Sequence, residues 1–526
     1  MDEQSKQLQE ELERLLMRAA QVSVALDRAE GTIQGVPHYS VIEQRAHELG
    51  RQLSCRIQAQ HMEELAVAHQ PVGHCPTCNL RCELTVNGRT VTSIDGKVSL
   101  RELKGYCPQC RRSFFPMRTS MGFDTRELTP GLVEKIAFAG VETRSFQRAA
   151  LVMRKVGGQT VSAKTIERVV NDVGRELAKR RDASPKTDDA LARVPEEPPE
   201  LAVVECDGGR ARTREPGHGP GVHLSTDSGW RETKNACLIR AYRKSFDSDP
   251  QPEPPACFCD PAHAAQVAQS EALSVAAPLA SDEPVGFAEA EDTIVPEDWR
   301  PRRLVRTVVS SMARSKEFGG QMQREAKRRR FFEAPGKAFL GDGLEWNWSI
   351  WRQYFKDFTP ILDFIHVLSY LFVLAKALHL DAEDAWHQYL VWMRGCWQGD
   401  VSQVLEELHV WKSKLGEAPA EAPDNDPRKL LSRTIVYLEN NRSRMNYPEY
   451  RRQGMPVTTA WMESLVKEIN YRVKGTEMFW NDPDGADAIL QVKAAALSDD
   501  DRLSNHLRTR PGHPFMRRPK TPSPPK

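Results

Sequence analysis

The chain has 526 residues, with 73 Lys+Arg against 72 Asp+Glu and a formal net charge of +1; at roughly 100–200 residues per domain, this length predicts about three domains. A hydrophobic content of 40% and a charged content of 28% exclude a largely disordered chain and point to a globular one. No run approaches the ~18 uninterrupted apolar residues that span a bilayer, since Leu368–Leu378 is short and broken by Lys376. The opening Met1-Asp2-Glu3-Gln4 is not a secretory signal, so a cytoplasmic location is expected.

Residues 1–70 read as a helical region. Leu8, Leu12, Leu15, Ala19, Val22 and Leu26 recur four and three apart, which makes one stripe on a helix, and Gly31 and Gly35 interrupt it. The run is short of the ~3–4 heptads of a coiled coil, so the stripe is expected to pack on the next domain, with self-association as the alternative.

Residues 71–120 carry Cys75-Pro-Thr-Cys78 and Cys107-Pro-Gln-Cys110. Each CPxC turn aims two thiolates at one point, and four thiolates satisfy a tetrahedral structural Zn²⁺ with no open position. The odd total of 11 cysteines argues against a disulfide framework. Between the pairs, Asn87-Gly88 with β-branched flanks predicts a hairpin turn, giving a zinc ribbon; Cys82 is a spare, not a ligand.

Residues 121–182 are predicted helical. A helix over Phe146–Val156, a Gly157-Gly158 turn and a helix from Ser162 give a helix-turn-helix outline. Lys164, Thr165, Arg168 and Asn171 on the second helix suit phosphates and base edges; an ordinary pair of helices is the plainer reading. Residues 183–200 form a proline-rich linker. Residues 247–298 hold 12 Asp/Glu and no Lys or Arg and are expected to be a disordered acidic insertion. The following Arg300–Arg330 holds 11 Lys/Arg against two Glu, and 498–526 reads as a disordered basic tail. The neutral total therefore hides blocks of opposite sign, with +13 outside the acidic block, as a DNA-handling protein would show.

Three acids stand out by position. Asp207 and Asp342 each end an apolar strand and are followed by glycine, and Glu463 lies on a helix in Thr459-Ala-Trp-Met-Glu-Ser-Leu-Val-Lys467. Two strand-end aspartates and a helical glutamate can hold two Mg²⁺ for in-line displacement at phosphorus. Taken singly, each is more ordinarily a turn or cap residue.

From about Pro71 to Leu497 the chain resembles bacterial insertion-sequence transposases of the DDE type, the ISKra-like group and more distantly the Mutator-like superfamily. The strings that carry the resemblance are Asp207-Gly-Gly-Arg210, Gly341-Asp-Gly-Leu-Glu-Trp-Asn-Trp348, Ile361-Leu-Asp-Phe-Ile-His366, Gly454–Glu463, Asn470–Gly475 and Met478-Phe-Trp480. Thr458-Thr459-Ala460 stands where the family has a Gly-Ser-Gly-like run. The resemblance implies an α+β protein with an RNase H-like catalytic core over 201–497 and an all-helical insertion at about 367–450. It casts Asp207, Asp342 and Glu463 as Mg²⁺ ligands, and Asp363 and His366 as a DxxH element that positions DNA or assists proton transfer, unless they are simply a hydrogen-bonded structural pair. Arg472 and Lys474 could hold a phosphate. The implied activity is cleavage at the terminal inverted repeats of an element and strand transfer to target DNA, in a nucleoid-associated homo-oligomer. The alternatives are a catalytically decayed or repurposed transposase acting as a zinc-containing DNA-binding protein, and a hydrolytic nuclease with the same core.

Overall fold

The computed structural model describes residues 3–183, 197–212, 230–275, 299–474, 480 and 483–515. Most of the expected linker (184–196), residues 276–298 of the acidic segment and residues 516–526 of the tail lie outside this set. The protein is mixed α+β, as expected, and divides into two compact units, one of residues 1–133, 155–159 and 509–526, the other of 134–154 and 160–508. No helix among the described residues is long and apolar enough to cross a membrane.

In the first unit, α1 (Glu3–Ala29) and α2 (Tyr39–Ala68) precede a four-stranded antiparallel sheet in the order β1 (Val72–His74), β2 (Arg81–Ser93), β3 (Gly96–Cys107), β4 (Arg112–Phe114), which the short α3 (Arg118–Met121) follows. Helix α2 buries Met62 against Val91, Val98, Leu100 and Phe123, and Ala66 against Leu84, Leu103 and Phe114. The hairpin is longer than Asn87-Gly88 implied. Those two residues sit inside β2 opposite Glu102 and Arg101, and the chain reverses at Ile94-Asp95, between the paired Ser93 and Gly96. The observed register pairs ten residues a side and turns Val91, Val98 and Leu100 to one core. The new turn is fastened to α2 by Arg51 Nε to the Asp95 carbonyl at 2.9 Å and by Ser54 Oγ to the Asp95 carboxylate at 2.6 Å. The α1 stripe does not pack as expected. Leu8, Leu12 and Leu15 are 59%, 56% and 55% exposed, and Asp27, bonded by Arg45, is the buried residue of the helix.

The second unit is built on a five-stranded sheet in the order β7 (Arg302–Ser311), β6 (Trp230–Tyr242), β5 (Leu201–Arg212), β8 (Gly336–Gly341), β9 (Thr359–Leu362). Strand β6 is antiparallel to both β7 and β5, and β8 and β9 run parallel to β5. The strands β5 and β8 are buried runs of small and branched residues, as a sheet covered on both faces requires. Helices α4 (Pro130–Glu142), α5 (Phe146–Lys155) and α6 (Ala163–Asp182) precede the sheet; α7 (Pro261–Val275) and α8 (Ser315–Arg328) flank β7 in sequence; α9 (Glu345–Tyr354) joins β8 to β9. After β9 come α10 (Phe364–Leu378), α11 (Ala382–Trp397), α12 (Val401–Leu415), α13 (Pro427–Asn441) and α14 (Tyr447–Arg452). The unit closes with α15 (Ala460–Val473), α16 (Pro483–Ala496) and α17 (Arg502–Thr509).

Ser162 caps α6 as its sequence predicts, accepting from Thr165 N at 3.2 Å. The helix then buries Ile166, Val169, Val170, Val173 and Gly174. At Gly174 the backbones of α6 and α16 touch, and a Cβ would lie 2.0 Å from the Ala488 carbonyl oxygen, so no larger residue fits there.

Three composition-based expectations are corrected. Residues 247–275 are ordered: Phe258, Ala264, Val267 and Ala268 are buried, the Phe258 ring meets Phe364 and Trp397 at 5.6 and 5.9 Å, and Asp249 is ion-paired with the fully buried Arg451. An acidic average concealed a few apolar anchors. In the expected basic tail, α17 buries Leu503, His506 and Leu507. The basic block at 300–330 is largely spent on internal pairs. Glu325 accepts from Arg502 Nη2 at 2.8 Å and Arg329 Nε at 3.3 Å and pairs with Arg328, while Asp500 pairs with Arg502 and Arg329.

Candidate functional site

Two sites were expected, one in each unit. In the first, Cys75 follows β1, Cys107 ends β3, and Cys78 and Cys110 lie in the tight turns after them. Asn79 and Arg111 adopt φ of 60° and 49° to close those turns. The four sulfurs lie within 4.8 Å of one another, with Cys75–Cys110 at 3.8 Å and Cys78–Cys107 at 3.5 Å. A tetrahedron of thiolates at about 2.3 Å from Zn²⁺ has edges of ~3.8 Å, so the cluster can hold a structural metal such as zinc. The Cys78 amide draws Cys75 down to about 6, while hydrogen bonding to Cys78 pushes Cys110 up to about 12. Without a cation, four thiolates cannot coexist here. Cys82 is buried, donates to the Leu80 carbonyl at 3.4 Å and stays outside the cluster, as expected.

The second site is the C-terminal end of the parallel strands. The register pairs Glu205 with Leu340 and Gly341 with Leu362. Continued by a residue or two, it carries Asp207, Asp342 and Asp363 to one level on three neighbouring strands, spaced by about 4.8 Å per strand. Asp342 Oδ1 accepts from Leu344 N at 2.9 Å and from the buried Asn347 amide, and Tyr437 donates to the Asp342 carbonyl at 2.9 Å. Asp207 Oδ1 accepts from Gly208 N at 2.6 Å. Glu463 lies in the first turn of α15, where the helix dipole favours a carboxylate. Glu205, fully buried two residues before Asp207 on the same face of β5, is pushed well above the ordinary carboxyl range by burial and by the charges of Asp363 and Glu463. Cys206, on the opposite face, is pushed up by burial and by Asp342 and Asp207. These shifts record a concentration of negative charge at this sheet end. Among the described residues, however, the four cysteines are the group whose donor atoms converge to within 4.8 Å; Asp207, Asp342 and Glu463 are not gathered that tightly.

Asp363 and His366 form the hydrogen-bonded pair, with Nδ1 2.6 Å from Oδ2. The Asp363 carboxylate is wholly buried and also accepts from Ile365 N at 3.3 Å, Thr459 N at 3.0 Å and Thr459 Oγ1 at 3.0 Å. It thus caps α10 and ties it to the residue preceding α15, which makes it a positioning group for the helix that bears Glu463.

The expected phosphate-binding residues divide. Arg472 is corrected: it is buried, donates from Nε to the Gly140 carbonyl at 2.7 Å, and lies over the rings of Phe146 and Trp480 at 4.6 and 5.2 Å. Burial lowers its guanidinium to about 10. Lys474, Lys164 and Arg168 are exposed, Lys164 bonding Glu167 at 2.8 Å.

Glu205, Asn347, Tyr437 and Thr459 were missed from sequence. A glutamate inside the apolar run Leu201–Cys206 was a usable signal, since a charge there must face something specific. Tyr437, 95 residues from Asp342, offered none. No known protein family matches the chain, and no curated protein matches it in sequence.

Proposed function

We propose that the chain is a DDE transposase of an insertion sequence. The observation that carries this reading is the parallel register of β5 and β8, which pairs Glu205 with Leu340 and, continued two residues, brings Asp207 and Asp342 to one level, with Glu463 on a helix whose Met462 and Glu463 lie beside Glu205 of β5. In support, the sheet order, three antiparallel strands followed by two parallel to the first of them, is the order of an RNase H-like core, and the helices between Phe364 and Arg452 have the place and length of the implied insertion. The donor set suits hard cations, since Asp207, Asp342 and Glu463 offer carboxylate oxygens. Two bound Mg²⁺ would activate a hydroxyl nucleophile and stabilise the leaving oxygen. The chain's own part is to hold the acids: Asn347 and Tyr437 fix the Asp342 loop, and Asp363 through Thr459 fixes the start of α15. At this site water would attack a phosphodiester, freeing a 3′-hydroxyl that then attacks target DNA.

The cysteine cluster would hold structural Zn²⁺, and the exposed Lys164, Arg168 and Lys474 would bind DNA phosphates. The exposed apolar stripe of α1 supports a homo-oligomer, because a second copy of the helix would cover it. The reading of a repurposed DNA-binding protein is favoured by one observation, that the three acids are not drawn together. A strand-transfer assay with the inverted repeats that flank the gene and Mg²⁺ separates the two. The enzyme cuts and joins; the binding protein retains the ends without cutting them.

A further inference from the structure

Beside the acidic strand ends lies a pocket of about 520 Å³, lined among others by Trp348 and Arg352 of α9, Tyr370 of α10, Arg433 and Tyr437 of α13, and Arg444. We propose that it takes one unpaired nucleotide of a DNA strand, its phosphate held by the arginines and its base stacked on the aromatic wall. The inference rests on the transposase reading for its substrate, and on the pocket's own chemistry for the rest.

The charge is one-sided. Three arginines line the pocket against one carboxylate, Glu345, which is ion-paired with Arg352. Among the described residues no carboxylate stands in ion-pair contact with Arg433 or Arg444, and Glu345 acts on Arg444 only through its charge. Arg444 is aimed by neutral groups, donating to the Asn440 carbonyl at 3.0 Å and Asn441 Oδ1 at 2.9 Å, and it lies 4.2 Å over the Trp348 ring. Burial and the nearby charge of Arg352 lower its guanidinium from its ordinary range, against the opposing charge of Glu345. Planar guanidinium groups suit a phosphate.

The aromatic part is equally specific. Tyr370 and Tyr437 stack with centroids 4.0 Å apart and planes 8° from parallel, a platform on which a third flat ring can continue the stack. The wall is fastened to the acidic site: Tyr437 bonds the Asp342 carbonyl, and its ring occupies the space a side chain on Gly343 would need, 2.5 Å from a Cβ built there. A strand whose phosphodiester lay at Asp342 would therefore run directly past the arginines. The volume falls in the range of about 300–1,000 Å³ of sites that enclose one small ligand, which admits a nucleotide and excludes a duplex.

The test uses the full-length protein in EDTA, so no chemistry is required. The probes are a short single-stranded DNA with 2-aminopurine at one position and a blunt duplex of the same sequence. Stacking should quench the 2-aminopurine. Arg433→Glu, at an exposed position, should weaken single-strand binding about tenfold, the size of one interaction with an unpaired nucleotide, and leave the duplex within about twofold. Tyr370→Leu should relieve the quenching while the thermal melt stays that of a folded protein. Equal losses on strand and duplex, or no loss on either, would overturn the proposal. So would competition by a free mononucleotide as effective as the strand, since the pocket would then serve a small molecule. Failure of the transposase reading shows separately, as absence of Mg²⁺-dependent cleavage by a wild-type protein that still binds the single strand in EDTA.

Discussion

The two candidate sites gather their polar groups by opposite routes. In the ribbon, four donors come from two short turns, and the sulfurs already stand at the spacing of a filled tetrahedron. At the sheet end, the acids come from β5, the β8–α9 loop and α15, and they stand apart. Carboxylates are charged at neutral pH and repel one another, whereas thiols can stay neutral and close together. Local spacing built the first site; strand register and helix packing hold the second.

The comparison can be broken most forcefully at the ribbon. Cys107→Ala should abolish metal binding, removing a stabilisation of about 10–16 kcal/mol of the kind structural zinc supplies to small domains. Metal analysis should give a single zinc per wild-type chain and none in the variant, and undiminished metal content would refute the assignment. Next is Asp342→Asn, which should lower Mg²⁺-dependent cleavage by roughly 10³-fold, about 4 kcal/mol at the barrier, while binding of the element ends persists. Cleavage at the wild-type rate would remove the carboxylate from the mechanism.

A smaller effect tests an acid compensated by arginines instead of metal. Glu325, held well below the ordinary carboxyl range against the opposing effect of burial by Arg502, Arg328 and Arg329, contributes stability that is present above the unfolded value of about 4.3. That contribution is lost as pH falls through the folded value. Glu325→Gln should cost about 3 kcal/mol near neutral pH, and the difference from wild type should shrink in acid. Denaturant titrations across the acid range measure it, and a pH-independent difference would disprove the linkage. The smallest effect belongs to the surface. Replacing Lys164 and Arg168 together by alanine should reduce the salt dependence of DNA binding by roughly 0.9 in log–log slope for each phosphate no longer neutralised. An unchanged slope would leave α6 as a packing helix alone.

These contrasts also explain what could be read from the amino-acid order. The Cys75–Cys78 and Cys107–Cys110 turns, the Ser162 cap and the strand-end position of Asp342 depend on neighbours within a few residues, and they emerged at the expected places, whereas β5 runs on past Asp207 to Arg212 because β6 continues to pair with it. Asn87-Gly88 misled because its turn preference is weaker than the gain from a ten-pair register that buries one face. Arg472 misled because its charge suggested solvent, whereas the carbonyl and aromatic faces that accept it come from residues distant in sequence. The acidic stretch misled because composition averages over Phe258 and the few apolar residues that anchor it.

The helical segment that follows β9 begins and ends at a single point. Phe364 N donates to the Val457 carbonyl at 3.0 Å, and Asp363 grips Thr459 beside it. Nearly a hundred residues thus leave the sheet and return within one hydrogen bond of their departure. The excursion is also fastened back to the strands it left, with Tyr447 and Tyr450 donating to the Leu362 and Pro360 carbonyls of β9 and Tyr437 to the Asp342 carbonyl. At the junction itself, one carboxylate holds both the departing and the returning chain.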